Sequence, residues 1–228
     1  MADHKKVLEH VKSHEGGYSA DPVDNASSDP SPIVGLDKRY PSLPVHTYRG
    51  VTWRTWKNYS RAKGMAVSAD KFVGMSLAVW EDLLKTLYWD SIQGDQIKSQ
   101  GAAEMIFEAV WGGGSRRFNI DLQNYLNARG KFNLEPDGAI GPKTVAALNQ
   151  YTKSKKNEED LILHMANKRL EYLQNLDDWW KYRAGWSRRL VELKDRALSY
   201  LNIIKKDPKI SGLGLLAGAA AVWYLLKD

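Results

Sequence analysis

The sequence predicts a mostly α-helical protein with a small β-hairpin at most and a hydrophobic helix at its C-terminal end. Three observations carry that prediction. Apolar residues recur at spacings of three and four through most of the chain, no segment alternates for long in the manner of a strand, and residues 210–226 carry no charge. With 228 residues and 43% hydrophobic content, one or two packed domains are possible.

The elements follow in order. Residues 4–15 read as a short helix on which Leu8, Val11 and Glu15 share one face. Gly16 and Gly17 end it with a sharp turn, as Gly does beyond helix C-termini. Residues 19–46, SADPVDNASSDPSPIVGLDKRYPSLPVH, are rich in Pro, Ser and Asp and show no period. A loop of this length inside a compact domain is usually functional or disordered. The hairpin is expected in the 40s. Helices are expected over 52–63, where Trp53, Trp56 and Tyr59 recur by threes, and over 69–90, which runs into LYWDSI. Further helices cover 100–111, stopped by GGG at 112–114, and 115–128, with Phe118, Leu122, Tyr125 and Leu126. In EPDGAIGPKT, 135–144, Asp137-Gly138 makes a tight turn, Ile140 plugs the core and Pro142 starts a helix. Long helices over 156–182 and 186–204 complete the folded part.

Composition narrows the function classes. The absence of cysteine excludes disulfides, thiolate metal sites and cysteine nucleophiles. A net charge of +6 and a pI near 9.3 suit an anionic polymer: nucleic acid, acidic lipid or bacterial cell wall. Nine Trp suit stacking on sugars or bases, and equally the filling of helical cores. No RNP, helix-turn-helix or zinc signature supports a nucleic-acid binder. His10 and His14 stand at i, i+4, but no third ligand accompanies them, so they read as exposed or rim residues. No metal and no cofactor is expected. KSKKNEED, 153–160, reads as a solvated linker and helix start.

The N-terminal residues lack the apolar run of a signal peptide. ISGLGLLAGAAAVWYLL, 210–226, reaches the short end of the ~17–25 residues that span a bilayer. Lys205, Lys206 and Lys209 precede it and only Lys227 follows, which leaves the N-terminal part in the cytoplasm. Gly214 and Gly218 form a small-xxx-small pair suited to self-association of the tail helix.

The segment HEGGYSADPVD, 14–24, carries the chemistry. Glu15 closes an apolar helix face just before two glycines. Burial there would raise its pKa, and a protonated carboxyl can donate to a leaving glycosidic oxygen. The plain alternative is an exposed Glu at a frayed helix end. Eight residues separate Glu15 from Asp24, and Thr47-Tyr48-Arg49-Gly50-Val51-Thr52 follows. The spacing resembles that of α-helical phage lysozymes: a Glu, eight residues, an Asp, then a Thr. More closely, EGGY…DP.D…T..G.T resembles the N-terminal signature of glycoside hydrolase family 108, the muramidases also labelled secretion activators. LYWDSI resembles that family's Tyr-Trp stretch, and LQNYLN…DGAIGPKT with GWSRR resembles the peptidoglycan-binding region that follows it. These matches span about residues 5–190.

The resemblance implies a lysozyme-like helical fold with a muramidase region at 1–95, a helical peptidoglycan-binding region at 96–204, and a basic flank with a transmembrane tail at 205–228. It implies cleavage between N-acetylmuramic acid and N-acetylglucosamine in the manner of a phage endolysin. Glu15 is then the general acid, and Asp24 activates a water held by the Thr47 hydroxyl. Tyr18, Tyr48 and Trp53 are candidates to line the sugar cleft, with core packing an equal reading for Trp53. The sequence departs from the family at one point: the Gly-Gly pair after the Asp is missing and about twenty residues intervene before Thr47. Either the loop is an insertion that returns Thr47 to the site, or the site is rebuilt and Asp21 and Asp29 compete with Asp24. Partners are bacterial peptidoglycan and, through the tail, the inner membrane; the enzyme would act on the periplasmic wall. Trp186 and the DGAIGPKT turn are expected to build the fold rather than touch ligand. The alternative function is a non-catalytic wall-binding or export-associated protein.

Overall fold

Five helices begin at a Ser or Thr whose hydroxyl accepts a backbone N–H from three residues on: Thr52, Ser68, Ser76, Ser99 and Ser154. Each satisfies one donor that a helix start leaves open. The structure, a computed structural model, describes residues 1–201. The expected membrane tail lies outside the described residues, and among the described residues no helix is long and apolar enough to cross a membrane. The chain forms two compact units: Leu8–Leu87, and Met1–Val7 together with the chain from Tyr88 onward.

The Leu8–Leu87 unit takes in most of α1, His4–His14, then three short strands, β1 at Tyr18–Ser19, β2 at Thr47–Tyr48 and β3 at Val51–Thr52. Helices α2, Trp53–Ala62, α3, Ala69–Val73, and α4, Leu77–Leu84, follow. The sheet is antiparallel in the order β1-β2-β3, so one more strand is present than a hairpin requires. β2 and β3 are joined by Arg49 and Gly50 at φ 50° and 72°. Positive φ at both central residues is the turn that matches the twist of paired strands. The two-residue strands still alternate: Tyr18 lies opposite Tyr48, while Ser19 and Thr52 flank Thr47 on the other face.

The polar stretch between β1 and β2 is a folded excursion. Ser31 and Val45 N–H groups bond to the carbonyls of Val45 and Ile33 at 2.9 and 2.8 Å. The buried Asp37 carboxylate accepts from the Ala20 N–H at 3.0 Å and from the Arg39 guanidinium at 2.9 Å. Because β1 and β2 pair directly, the excursion returns Thr47 beside Ser19.

The second unit contains α5, Gln100–Trp111, α6, Ser115–Gly130, α7, Pro142–Tyr151, α8, Lys155–Gln174, and α9, Trp179–Ser199. α5 is buried along most of its length and packs on α6, α8 and α9. Its buried Glu104 accepts from Arg196 at 3.0 Å and from the Tyr200 hydroxyl at 2.8 Å. The single helix expected over 156–182 is instead two helices, broken at Asn175–Asp178. The apolar period carries across the break because α8 and α9 both pack on α5. The DGAIGPKT turn is a structural device, held by one side chain. Gln123 accepts from the Gly138 N–H at 2.8 Å and donates to Asp137 Oδ1 and the Ala139 carbonyl at 2.9 and 3.0 Å.

Candidate active site

Within the Leu8–Leu87 unit, the C-terminal end of α1, the hairpin tip and α4 enclose an open cleft of about 360 Å³. α1 and the residues after it bring Lys12, Glu15, Gly16 and Gly17; the hairpin brings Tyr48 and Arg49; α4 brings Leu77 and Trp80. The lining thus combines one carboxylate, two cations, an aromatic face and an apolar wall. A cleft of this make-up can hold a sugar against Tyr48, offer anionic groups to Lys12 and Arg49, and present Glu15 to a bond between them.

The hairpin tip is held from several sides. The Trp80 indole donates to the Arg49 carbonyl at 2.9 Å, the Arg49 N–H donates to the Gly17 carbonyl at 3.3 Å, and Arg49 Nε donates to the Tyr48 hydroxyl at 3.0 Å. Arg49 keeps its left-handed φ under these ties, a conformation that costs a non-glycine residue about 1–2 kcal/mol. Tyr18 stacks on Tyr48 with ring centroids 4.3 Å apart and donates its hydroxyl to the Val73 carbonyl at 2.8 Å. Burial, then the neighbouring Tyr48, raises the Tyr18 pKa above the ordinary tyrosine value. Tyr18 therefore backs Tyr48 rather than lining the cleft itself.

Gly16 and Gly17 follow the end of α1, with a bend at Gly17 as expected, but they turn the chain without a left-handed residue. Neither lies in the positive-φ region, and a Cβ on either would meet nothing within 4 Å. They keep the cleft next to Glu15 free of side chains. Glu15 itself is part-exposed at this rim rather than buried on the apolar face of α1. His10, expected at an exposed or rim position, is buried, with its ring 4.8 Å from that of His14. Among the described residues no group of three or more metal-ligating side chains comes together.

The other expected site residues stand elsewhere. Asp24 is exposed, and its Oδ1 accepts from the Ala26 N–H at 2.8 Å as the cap of a short 3₁₀ turn at Asn25–Ser28. Thr47 sits beside Tyr48, but alternation directs it to the opposite face, where its hydroxyl is 2.9 Å from His46 Nδ1. Trp53 is a core residue, 9% exposed and 5.3 Å from the Phe72 ring, which matches the core-packing reading of the two it was given rather than the sugar cleft. Of the competing acids, Asp29 is held by Lys57 at 2.7 Å, and that hydrogen bond lowers its pKa below the usual aspartate value. Asp21 Oδ1 accepts from the Val23 N–H at 3.1 Å.

Sequence reasoning missed Lys12, Arg49, Leu77 and Trp80 as lining residues. A Gly following Arg49 inside TYRGVT was a usable turn signal; Trp80 carried none, because its helical spacing reads as core.

Residues 8–114 match the family model described as glycosyl hydrolase 108, and residues 120–191 match that described as a predicted peptidoglycan domain. The structure of Brucella abortus SagA resembles this one with a TM-score of 0.62 at 23% identity, over 90% of this chain and 97% of that one, a likeness of fold. No curated protein matches the chain. The chain is thus similar to glycosyl hydrolase 108 over residues 8–114 and to a predicted peptidoglycan domain over residues 120–191.

Proposed function

We propose that the chain hydrolyses the glycosidic bond between N-acetylmuramic acid and N-acetylglucosamine in peptidoglycan, with Glu15 as general acid. The observation that carries this reading is the place of Glu15 in the cleft, flanked by Gly16, Gly17 and Tyr48. Open backbone beside the acid lets a polymer approach closely, and Tyr48 offers a face for a sugar ring. Asp24 is the second carboxylate of the proposal, activating water with help from the Thr47 hydroxyl. Its support is the eight-residue interval and the pairing that returns Thr47 next to the Glu15 segment. In this reading the cap engages Oδ1 of Asp24, and Oδ2 addresses the water.

The test is digestion of purified peptidoglycan by the full chain beside its Glu15→Gln variant, with products read by mass spectrometry. New reducing-end muramic acid from the wild type alone supports the proposal. Equal release by both moves the acid elsewhere. The commitments of Asp24 to a cap and of Thr47 to His46 favour the second reading, a non-catalytic wall-binding or export-associated protein, and release by neither chain would point there.

The uncharged run at 210–226 and its basic flank support a tail anchored in the inner membrane, with the folded part cytoplasmic until the membrane opens and the tail helices able to self-associate through Gly214 and Gly218. Protease treatment of sealed spheroplasts tests the topology; digestion of the folded part from outside would refute it.

A further inference from the structure

Two cations line the cleft beside Glu15: Lys12 from the last turn of α1 and Arg49 from the hairpin tip. Among the described residues neither is paired with a carboxylate. Elsewhere in the same unit Arg39, Lys57 and Lys63 are matched to Asp37, Asp29 and Asp82 at 2.9, 2.7 and 2.8 Å. An exposed lysine near a helix C-terminus is ordinary, since the helix dipole favours a cation there. Arg49 is the less ordinary of the two.

Turns with positive φ at both central residues select Asn, Asp or Gly, and Arg49 takes the first of these positions at φ 50°. The bonds that hold the tip do not call for an arginine. Its carbonyl accepts from the Trp80 indole and its N–H donates to the Gly17 carbonyl, and an Asn or Gly would supply both groups. The side chain spends Nε on the Tyr48 hydroxyl at 3.0 Å, which fixes the guanidinium at the cleft and leaves its Nη groups as donors. A guanidinium held this way is a ready fork for a carboxylate, and Lys12 adds a second, movable charge. At about 360 Å³ the cleft falls within the ~300–1,000 Å³ of small-ligand sites, so a sugar ring with a short branch fits.

We propose that Lys12 and Arg49 make the cleft selective for a glycan bearing muramic acid over a plain N-acetylglucosamine polymer, by taking a carboxylate carried on the lactyl branch. The proposal rests on the reading of the chain as a muramidase with Glu15 as its acid. N-acetylmuramic acid is N-acetylglucosamine with a lactyl ether at O3. In a strand without stems that branch ends in a carboxylate. In a strand with stems the lactyl group is an amide, and the nearest carboxylates belong to the peptide. Either source sets an anion beside a sugar ring, and chitin sets none. Ring and linkage are alike in the two polymers, so Glu15 alone has no means of telling them apart.

The experiment measures tetrasaccharide binding to the full chain carrying Glu15→Gln by calorimetry. The ligands are chitotetraose, the alternating N-acetylglucosamine–N-acetylmuramic acid tetrasaccharide with free lactyl carboxyls, the same molecule with those carboxyls amidated, and the same molecule carrying L-Ala-D-Glu. At least one charged ligand should bind tenfold or more tightly than both neutral ones, and the preference should shrink as salt rises. Preference for the lactyl acid assigns the anion to the sugar; preference for the dipeptide alone assigns it to the stem. Arg49→Gly suits the left-handed φ and keeps the backbone ties, and Lys12→Met alters an exposed site. Each should cut the preference at least threefold, and together they should abolish it. Absence of saturable binding, equal binding of charged and neutral glycans, or a preference that survives both substitutions would overturn the proposal. Hydrolysis by the wild-type chain is scored separately. Hydrolysis without a charge preference would reject the role of the two cations and leave the enzyme; a charge preference without hydrolysis would reject the enzyme and leave a wall-binding cleft.

Discussion

The indole N–H of Trp80 donates to the carbonyl oxygen of Arg49 at 2.9 Å, tying α4 to the tip of the β2–β3 hairpin. Trp80 is 1% exposed, so Trp80→Phe leaves that carbonyl without its partner in a buried setting. The expected cost is about 1–3 kcal/mol of stability. Urea unfolding measures it. Wall hydrolysis should also fall, because Tyr48 and Arg49 would lose their fixed position. A variant as stable and active as wild type would show that water takes the place of the indole.

Gly16 and Gly50 separate room from backbone. Gly50 sits at φ 72°, so Gly50→Ala should cost about 1 kcal/mol in left-handed strain. Gly16 has an ordinary φ and open space around its Cα, so Gly16→Ala should keep or raise stability, by up to about 1 kcal/mol. Its methyl enters the cleft beside Glu15, so turnover of polymeric peptidoglycan should drop while the melting temperature holds. Paired melting and turnover assays decide this; a destabilised Gly16→Ala would contradict the backbone reading.

Asp24 offers a clean separation of chemistry from fold. Asn caps a helix start about as well as Asp, so Asp24→Asn should keep the bond to the Ala26 N–H and leave stability unchanged. If Asp24 activates water, the variant loses about 10²- to 10⁴-fold in turnover. Retained turnover would assign the cap as the whole role of Asp24. Glu15→Gln should show a loss of the same order, and a melting curve recorded beside it separates lost chemistry from lost fold.

Acid stability should track Asp37. Hydrogen bonds from the Arg39 guanidinium, then from the Ala20 N–H, hold its pKa well below the usual aspartate range. A carboxylate depressed on folding contributes fully above its unfolded pKa, near 4, and that contribution is lost as pH falls toward the folded value. Melting temperature should therefore fall more steeply below about pH 4 in the wild type than in Asp37→Asn, with Asp37→Asn less stable at neutral pH. Parallel slopes for the two chains would show that Asp37 does not govern the acid limb.

Gly138 should resist replacement. It sits at φ 83°, and a Cβ there would lie 3.0 Å from the Arg116 carbonyl and 2.9 Å from its Cγ. Gly138→Ala combines left-handed strain with backbone crowding, and a loss of about 2 kcal/mol or more is expected from thermal unfolding. The turn would also pull away from Gln123, which holds it by three bonds.

The sequence by itself determined most of the helices, because apolar spacing is a local property that survives without knowledge of neighbours; the helix expected over 69–90 is instead α3 and α4, separated at Gly74 and capped anew by Ser76. Helix α5 is read to its last residue, since the glycines after Trp111 cannot continue it. The position of Glu15 just past the end of α1, beside the two glycines, was legible as well, because its signal is a run of contiguous residues. The break at Asn175–Asp178 was not, since both sides of it pack on α5 and the period runs through. Nor was the cleft. Arg49 and Trp80 are thirty-one residues apart and meet only because the hairpin tip packs on α4. Trp53 and Trp80 look alike in sequence as helix-spaced indoles. Tertiary packing buries both, Trp53 against Phe72 and Trp80 behind the cleft with its indole N–H on the Arg49 carbonyl, because which side of a helix backs a cavity depends on what the rest of the chain leaves unfilled.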